Sequence, residues 1–180
     1  GPPLDGSASG LDGLAAVAWA PCEVAAAVRG ARVRAVVETE YPFREAIRVR
    51  VEVDRPTRFP LLLRIPGWCD RAAVTVDGRE RREPRGGAYL RLDREWGGAT
   101  AIELRFPMRP RLWSGERGAA AVVRGPLVYS LVVGEEWRRI NENEPHRELP
   151  HADWEVYPTT PWNYALDASA ETLEGDLRFA

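Results

Sequence analysis

The sequence contains no lysine, and all 25 of its basic residues are arginine. We interpret this as a habit of composition, because no particular site requires it. The 27 acidic residues nearly cancel the arginines and leave a formal net charge of -2 at pH 7. A balanced charge provides no strong field to draw the chain toward nucleic acid or an anionic membrane surface. Composition therefore argues against both kinds of partner.

Long apolar runs are also missing. Arg, Glu or Pro interrupts every apolar stretch well short of the roughly 20 residues that a membrane-spanning helix needs. The first ten residues lack a basic region followed by an apolar core, so they do not form a signal peptide. We interpret residues 1–10 as a linker or an artificial chain end. These features favour a soluble protein, cytoplasmic rather than secreted, although an export signal would lie at the natural N-terminus.

Cysteine is scarce, with only Cys22 and Cys69 in 180 residues. Two cysteines are too few for a disulfide framework or for a zinc site built on thiolates alone. The simpler interpretation is two half-buried small apolar residues. A Cys22–Cys69 bridge is the alternative.

Most of the sequence shows patterns that are typical of β-strands. Apolar and charged residues alternate in Ile47–Val53 and again in Ala101–Phe106, which is typical of strands with one buried face. Asp77-Gly78 follows a third such run and predicts a tight hairpin. Further strands are predicted at Leu14–Trp19, Glu23–Val28, Arg32–Thr39, Phe59–Ile65, Ala88–Leu92 and Ala119–Val133, the last broken by a bulge or bend at Gly125-Pro126.

No segment shows sustained helical periodicity with caps. Many short strands separated by Gly, Pro and Asp turns indicate an all-β fold, an antiparallel two-sheet β-sandwich or jelly roll. We place this domain at residues 11–134. Residues 135–180 are predicted to form an irregular, tryptophan-rich surface segment followed by the start of a further β domain.

Four of the seven tryptophans lie toward the C-terminal half: Trp113, Trp137, Trp154 and Trp162. Exposed, coplanar indoles stack on sugar rings, so these four are candidate substrate-binding residues. The alternative is that they fill the gap between this domain and another one, because large aromatics also dominate domain interfaces. In that case the stretch from Trp137 to Trp162 is the docking surface, and the isolated chain could self-associate as a homodimer.

Catalytic and metal-binding patterns are weak. The adjacent acids Glu135-Glu136, and Glu142 with Glu144, resemble solvated loop residues more than an acid/base pair. His146, His151 and Asp153 offer zinc-compatible ligands, but their spacing fits no short zinc motif. We therefore expect no catalytic residue and no metal in this chain, and keep a metal-dependent hydrolase as a third hypothesis.

Several segments in order resemble the region that follows the catalytic barrel in glycoside hydrolase family 127, the β-L-arabinofuranosidase-like family. The most distinctive is Leu63-Arg64-Ile65-Pro66-Gly67-Trp68, followed by the hairpin Val74-Thr75-Val76-Asp77-Gly78. The resemblance covers about residues 11–167. Its other elements are Leu11–Leu14 through Trp19-Ala20-Pro21, Glu40-Tyr41-Pro42-Phe43, Phe106-Pro107-Met108, Arg124–Tyr129 and Pro161–Leu166.

The resemblance implies a non-catalytic accessory β-sandwich whose partner is the helical catalytic barrel of the same polypeptide. The family's zinc-bound nucleophilic cysteine, its zinc ligands and its acid/base glutamate would lie in that barrel, before Leu11. The parent enzyme would be a β-L-arabinofuranosidase-type exo-glycosidase acting on plant-derived glycans. An autonomous carbohydrate-binding module that uses exposed tryptophans is the alternative function.

Overall fold

The computed structural model describes residues 12–167, 169 and 171–177, except for the side chains of Glu80 and Asp176. Their contacts divide the chain into two compact units. The first contains the described residues up to Arg109 together with Gly125–Leu127. The second contains Pro110–Arg124 and the described residues from Val128 onward. The domain boundaries expected at residues 10 and 134 stay predictions.

The first unit is a sheet of seven strands whose order is β2-β3-β4-β7-β5-β6, with β1 pairing alongside β4. Its pairings are antiparallel except that between β1 and β4, which is parallel. A purely antiparallel arrangement is therefore not observed. The strands are β1 (Leu14–Ala16), β2 (Cys22–Val28), β3 (Ala31–Thr39), β4 (Ala46–Arg64), β5 (Ala73–Val76), β6 (Glu80–Arg82) and β7 (Tyr89–Arg105).

Two very long strands replace four shorter predicted ones. The strands predicted at Ile47–Val53 and Phe59–Ile65 are the halves of β4, and those at Ala88–Leu92 and Ala101–Phe106 are the halves of β7. The pairing of β4 with β7 shifts register between Val53 and Thr57, where Pro56 cannot donate a ladder hydrogen bond. On β7 the same region contains Gly98 with a φ of 64°, a conformation that favours glycine.

The sheet folds back on itself at this irregularity. A straight strand of 19 residues would span about 60 Å, yet both ends of β4 reach Phe106. At the first end, the Phe106 backbone N–H donates to the Glu45 carbonyl at 3.0 Å. At the other end, the indole N–H of Trp19 donates to the Arg64 carbonyl at 2.9 Å while its ring lies 6.0 Å from that of Phe106. The predicted all-β sandwich is confirmed.

One apolar core fills the space between the two halves. Residues from the first half of β4, such as Ile47 and Val51, and from the second half, such as Phe59 and Leu63, belong to the same buried cluster. Trp96 stacks on Phe59 at 5.5 Å and donates its indole N–H to the Phe59 carbonyl at 2.8 Å. The hairpin predicted at Asp77-Gly78 is confirmed, with both residues at positive φ between β5 and β6.

The remaining strands form two small sheets. One has the order β10-β9-β8, made of β8 (Pro110–Ser114), β9 (Ala120–Arg124) and β10 (Leu127–Tyr129), and the predicted break at Gly125-Pro126 is the turn between β9 and β10. The other pairs β11 (Glu135–Ile140) with β12 (Asp153–Pro158) in antiparallel register. The segment predicted to be irregular therefore contains a regular hairpin. Its strands have six residues each, which is too short for their alternation to be recognised in the sequence.

Beyond β12, the described residues contain a single-turn helix α1 (Leu173–Asp176) and no strand. The start of a further β domain in this region stays a prediction. Within the described ranges there is no helix long and apolar enough to cross a membrane.

Candidate functional site

The four candidate tryptophans all leave much of their ring in solvent. Trp113 and Trp137 are each 58% exposed, Trp154 is 44% exposed and Trp162 is 67% exposed. All four belong to the second unit. Single exposed apolar side chains are common on protein surfaces, whereas a contiguous group of them is a candidate interaction surface.

Two of these tryptophans, Trp137 and Trp154, share one face of the β11–β12 hairpin. In the register of the ladder Trp137 lies opposite Val156 and Trp154 lies opposite Arg139, so all four side chains point to the same side. The Trp137 and Trp154 rings meet edge to face, with centroids 6.3 Å apart and planes at 74°. We call this surface the tryptophan face; it consists of Glu135, Trp137, Arg139, Trp154, Val156, Pro158 and the adjoining Trp162.

Trp162 follows β12 and lies beside the far end of the tryptophan face. Together with Val133, Glu135, Val156 and Pro158 it lines a shallow depression of about 360 Å³. The aromatic rings thus run along the hairpin from Trp154 to Trp162. The Trp137 and Trp154 rings are not coplanar, so they do not meet the condition given above for stacking on sugar rings.

Trp113 belongs to a different sheet. It lies in β8 opposite Ala121, and its ring covers Gly115 so closely that a Cβ at that position would lie 2.7 Å from it. The structure therefore groups three of the four predicted residues on the tryptophan face and places Trp113 in the β10-β9-β8 sheet.

Two polar side chains of the tryptophan face were not predicted as members of a site. Glu135 accepts the indole N–H of Trp137 at 2.9 Å, which holds that ring in position. Arg139 donates from Nη2 to the Arg147 carbonyl at 2.9 Å, while its buried Nε has no hydrogen-bond partner. Residues 135–139 do not alternate between apolar and charged side chains, so this strand offers no periodic signal for the face.

The opposite face of the hairpin is charged. Arg138 lies over the Tyr157 ring at 4.6 Å and pairs with Glu136 at 2.9 Å. The hydrogen bond from Arg138 lowers the pKa of Glu136, and the carboxylate of Glu155 raises the pKa of Tyr157. Because Glu135 and Glu136 point to opposite faces, they do not form the acid pair that their adjacency suggested. Glu142 and Glu144 are exposed in the connection between the strands.

The histidine-containing segment does not assemble a metal site. The Oδ2 atom of Asp153 accepts from Arg147 at 3.1 Å and from Asn141 at 3.0 Å, so this oxygen is already engaged. In the part of the chain that the structure describes, no group of three His, Cys, Asp or Glu side chains could hold a metal ion. Nothing in this arrangement favours the metal-dependent hydrolase that the sequence left open.

The two cysteines are both free. Cys22 is exposed on β2, whereas Cys69 is buried and its burial raises the pKa of the thiol. No disulfide joins them, and the prediction that both are half-buried is wrong, because one side chain is exposed and the other is buried.

Carboxylates of the first unit are held by arginines on the outer face of the sheet. Arg34 contacts Glu23 at 2.7 Å and Glu52 at 3.1 Å, joining β2, β3 and β4. These hydrogen bonds lower the pKa of both glutamates. Arg32 likewise lowers the pKa of Asp54, and Arg91 that of Asp93.

The family model described as "Beta-L-arabinofuranosidase, GH127 middle domain" matches residues 13–108, more than half of the chain. Solved structures with a similar fold include a GH127 β-L-arabinofuranosidase from Geobacillus stearothermophilus T6, with a TM-score of 0.59 and 21% identity, over 87% of this chain and 29% of that one. A chain described as a glycoside hydrolase has a TM-score of 0.57 and 27% identity, over 63% of this chain and 20% of that one.

A further GH127 β-arabinofuranosidase has a TM-score of 0.55 and 21% identity, over 82% of this chain and 28% of that one. The chain thus spans less than a third of the length of these solved proteins. A comparison with curated protein sequences found no match. The sandwich of the first unit coincides with the matched residues, and on that match the chain belongs to the GH127 middle-domain family.

Proposed function

We propose that the chain is a non-catalytic accessory domain of a GH127 glycoside hydrolase. The observation that carries the proposal is the family match over residues 13–108, which are the residues that build the sandwich of the first unit. The partner is the catalytic domain of the same polypeptide. The parent activity is that of a β-L-arabinofuranosidase-type exo-glycosidase acting on plant-derived glycans.

Three arginine-bound carboxylates of the first unit are unsuited to the role of proton donor. A glycosidase needs a proton donor whose pKa is raised, beside a second carboxylate or another nucleophile. Hydrogen bonds from arginine lower the pKa of Glu23, Glu52 and Asp93 instead. Carboxylates of this kind remain ionised at neutral pH and are poor acids.

The zinc ion that the family resemblance implies would be held by the catalytic domain. The described residues of this chain do not fit such a site, because no group of three His, Cys, Asp or Glu side chains comes together among them and Asp153 is engaged by Arg147 and Asn141. We therefore derive no catalytic step through a metal in this chain.

The first test is turnover of 4-nitrophenyl β-L-arabinofuranoside by the 180-residue chain, with and without added zinc. We expect a rate equal to that of the buffer. Release of nitrophenol above the buffer rate, abolished by heat, would contradict a non-catalytic role.

The second test addresses support of the catalytic domain. In the polypeptide that joins this chain to its catalytic domain, Phe59→Ala should unfold the sandwich core and lower the temperature at which turnover is lost. Trp113→Ala is the control, since that ring is exposed outside the core. Equal thermal inactivation of both variants and the parent would show that the sandwich gives no support.

A further inference from the structure

We propose that the free edge of β2 pairs with the same edge of a second copy of the chain, which joins two sandwiches into a homodimer with a continuous sheet. This contact goes beyond the accessory role and is independent of it, because it involves only two copies of the same 180 residues. The backbone of β2, its side chains and their charges all favour it.

One side of the β2 backbone has no strand beside it, because among the described residues β2 pairs with β3 alone. The two-residue turn Arg29-Gly30 between them has both φ values positive, and the residues that flank such a turn exchange both backbone hydrogen bonds. Hydrogen-bonded pairs then recur at every second residue, so Glu23, Ala25 and Ala27 direct their N–H and C=O groups to the free edge. The backbone N–H of Arg32, opposite Ala27, accordingly points to β4, where it donates to a side chain at 2.9 Å.

The β2 edge lacks the features that usually keep strand edges apart, which are short length, proline, bulges and charge. The strand has seven residues in unbroken register with β3, no proline and one charged residue, Glu23. Arg34 neutralises that carboxylate within the same sheet, at 2.7 Å. Strands β1 and β6, by contrast, have three residues each. The β2 edge is therefore well suited to accept another strand.

The β2 edge is complementary to itself about a two-fold axis at Ala25. An antiparallel second copy places Ala25 opposite its own counterpart and Glu23 opposite Ala27, so no like charges oppose each other. Every N–H and C=O group that these three residues direct to the edge then finds a partner on the other copy. The backbone and the side chains thus specify the same register.

The apolar side of β2 is incompletely covered at this edge. Val24 is 47% exposed, although it lies on the same face of β2 as the fully buried Val28. In the proposed register Val24 lies opposite Ala26 of the second copy, whose strand extends the sheet over the exposed side of the valine. Pairing therefore buries apolar surface as well as backbone.

The charges of the outer face favour a second copy over an unrelated strand. Backbone groups alone would accept any strand, but Glu23 would lie beside Ala27 of the second copy, and the neighbour of that alanine on β3 is Arg32. The small alanine leaves this arginine within reach of the carboxylate, about 10 Å away measured across two strand spacings. The two-fold axis provides the same pair of opposite charges twice.

The first experiment is analytical ultracentrifugation of the 180-residue chain from about 10 μM to about 1 mM. Two short strands bury less area than a standard interface, so we expect a reversible dimer with a Kd on the order of 100 μM. Hydrogen exchange at the backbone N–H groups of Glu23, Ala25 and Ala27 should slow as the concentration rises. A chain that stays monomeric at about 1 mM overturns the proposal. Slow exchange of these groups in such a monomer would show that another segment of the same copy covers the edge.

A charge exchange at Ala25 tests the register and guards against misfolding. Ala25→Lys places two ammonium groups opposite each other and Ala25→Glu places two carboxylates there, so each variant alone should dimerise about fivefold more weakly. An equimolar mixture of the two variants should restore dimerisation, because opposite charges then face each other. A dimer that both substitutions leave unchanged uses another surface and overturns the proposal.

Ala99→Lys is the matched control, because Ala99 is an exposed alanine of β7 in the same sheet, opposite Glu52 and away from the β2 edge. Its Kd for dimerisation should equal that of the unmodified chain. Equal weakening in Ala99→Lys, or a mixture that dimerises no better than the separate Ala25 variants, contradicts pairing at this edge. Each of these outcomes leaves the turnover tests of the accessory role unaffected.

Discussion

At the scale of single residues, Phe106 is the centre of an aromatic cluster that packs between the two halves of the sandwich. Its ring contacts Trp19 at 6.0 Å, Tyr41 at 6.2 Å and Trp68 at 6.2 Å, all edge to face. These aromatics come from separate segments of the chain, and their packing closes one end of the core. Trp68, which ends the most distinctive family-like segment, therefore has a packing role independent of any resemblance.

Gly86 offers a residue-scale test of this packing. A Cβ at Gly86 would collide with the carbonyl oxygens of Cys69 and Pro66, and these are backbone atoms that cannot rotate away. Gly86→Ala should therefore destabilise the chain by about 1–3 kcal/mol, as overpacked substitutions do. Urea unfolding followed by fluorescence measures the change.

Gly67→Ala is the matched control for Gly86→Ala. A Cβ at Gly67 would meet nothing within 4 Å, so its unfolding midpoint should stay close to that of the unmodified chain. Equal midpoints for the two variants would show that the close approach at Gly86 is relieved by backbone movement.

At the scale of elements, β4 and β7 organise the first unit. Each contributes residues to both halves of the sandwich. Strands β1 and β3 pair with β4, and β5 pairs with β7. The sequence predicted the alternating halves separately because Asp54-Arg55-Pro56 interrupts the apolar period. Whether such an interruption is a turn or a bulge depends on pairing with a distant strand, which local pattern does not reveal.

Arg34 provides a pH-dependent test of the strand contacts. Glu23 and Glu52 have a pKa held below the ordinary value of 4.5 by this arginine, so their contribution to stability is present above that pH and is lost as the pH falls through the lowered values. Arg34→Met should lower the thermal midpoint at pH 7 and converge with the unmodified chain as the pH falls below about 4.5. Thermal melts from pH 7 to pH 3 measure this.

Arg111→Met serves as the control for Arg34→Met. Arg111 lies in β8 opposite Val123, so this substitution removes the same charge from a different sheet. The difference in thermal midpoint between Arg111→Met and the unmodified chain should not vary with pH in the same range. If the difference for Arg34→Met is also constant, the contacts of Arg34 to Glu23 and Glu52 do not persist in solution.

At the scale of the whole molecule, the apolar core is unevenly distributed. Its buried cluster extends from Trp19 to Phe106 and lies within the first unit. The buried apolar residues of the described second unit are Val122 and Leu173. Large apolar side chains of the second unit remain exposed, among them Trp113, Val128, Leu131, Val132, Trp137, Leu149, Trp154, Val156, Trp162, Tyr164 and Leu166.

This asymmetry predicts different behaviour of two fragments. Residues 1–127 retain the complete buried cluster and should unfold cooperatively, with a thermal midpoint near that of the whole chain. Residues 110–180 should lack a cooperative transition, because two buried apolar residues do not offset the entropy of ordering the chain. Circular dichroism melts of both fragments decide this. A cooperative melt of residues 110–180 alone would contradict the prediction.

The all-β class, the hairpin at Asp77-Gly78, the bend at Gly125-Pro126 and the family could be predicted from the sequence, because alternation, turn residues and characteristic segments are local properties. The continuity of β4 and β7, the parallel pairing of β1, and the shared face of Trp137 and Trp154 could not be predicted in this way. These features depend on which distant strands pair and in which register. A shift of one residue would move Trp137 to the charged face of the hairpin, and local pattern does not specify that choice.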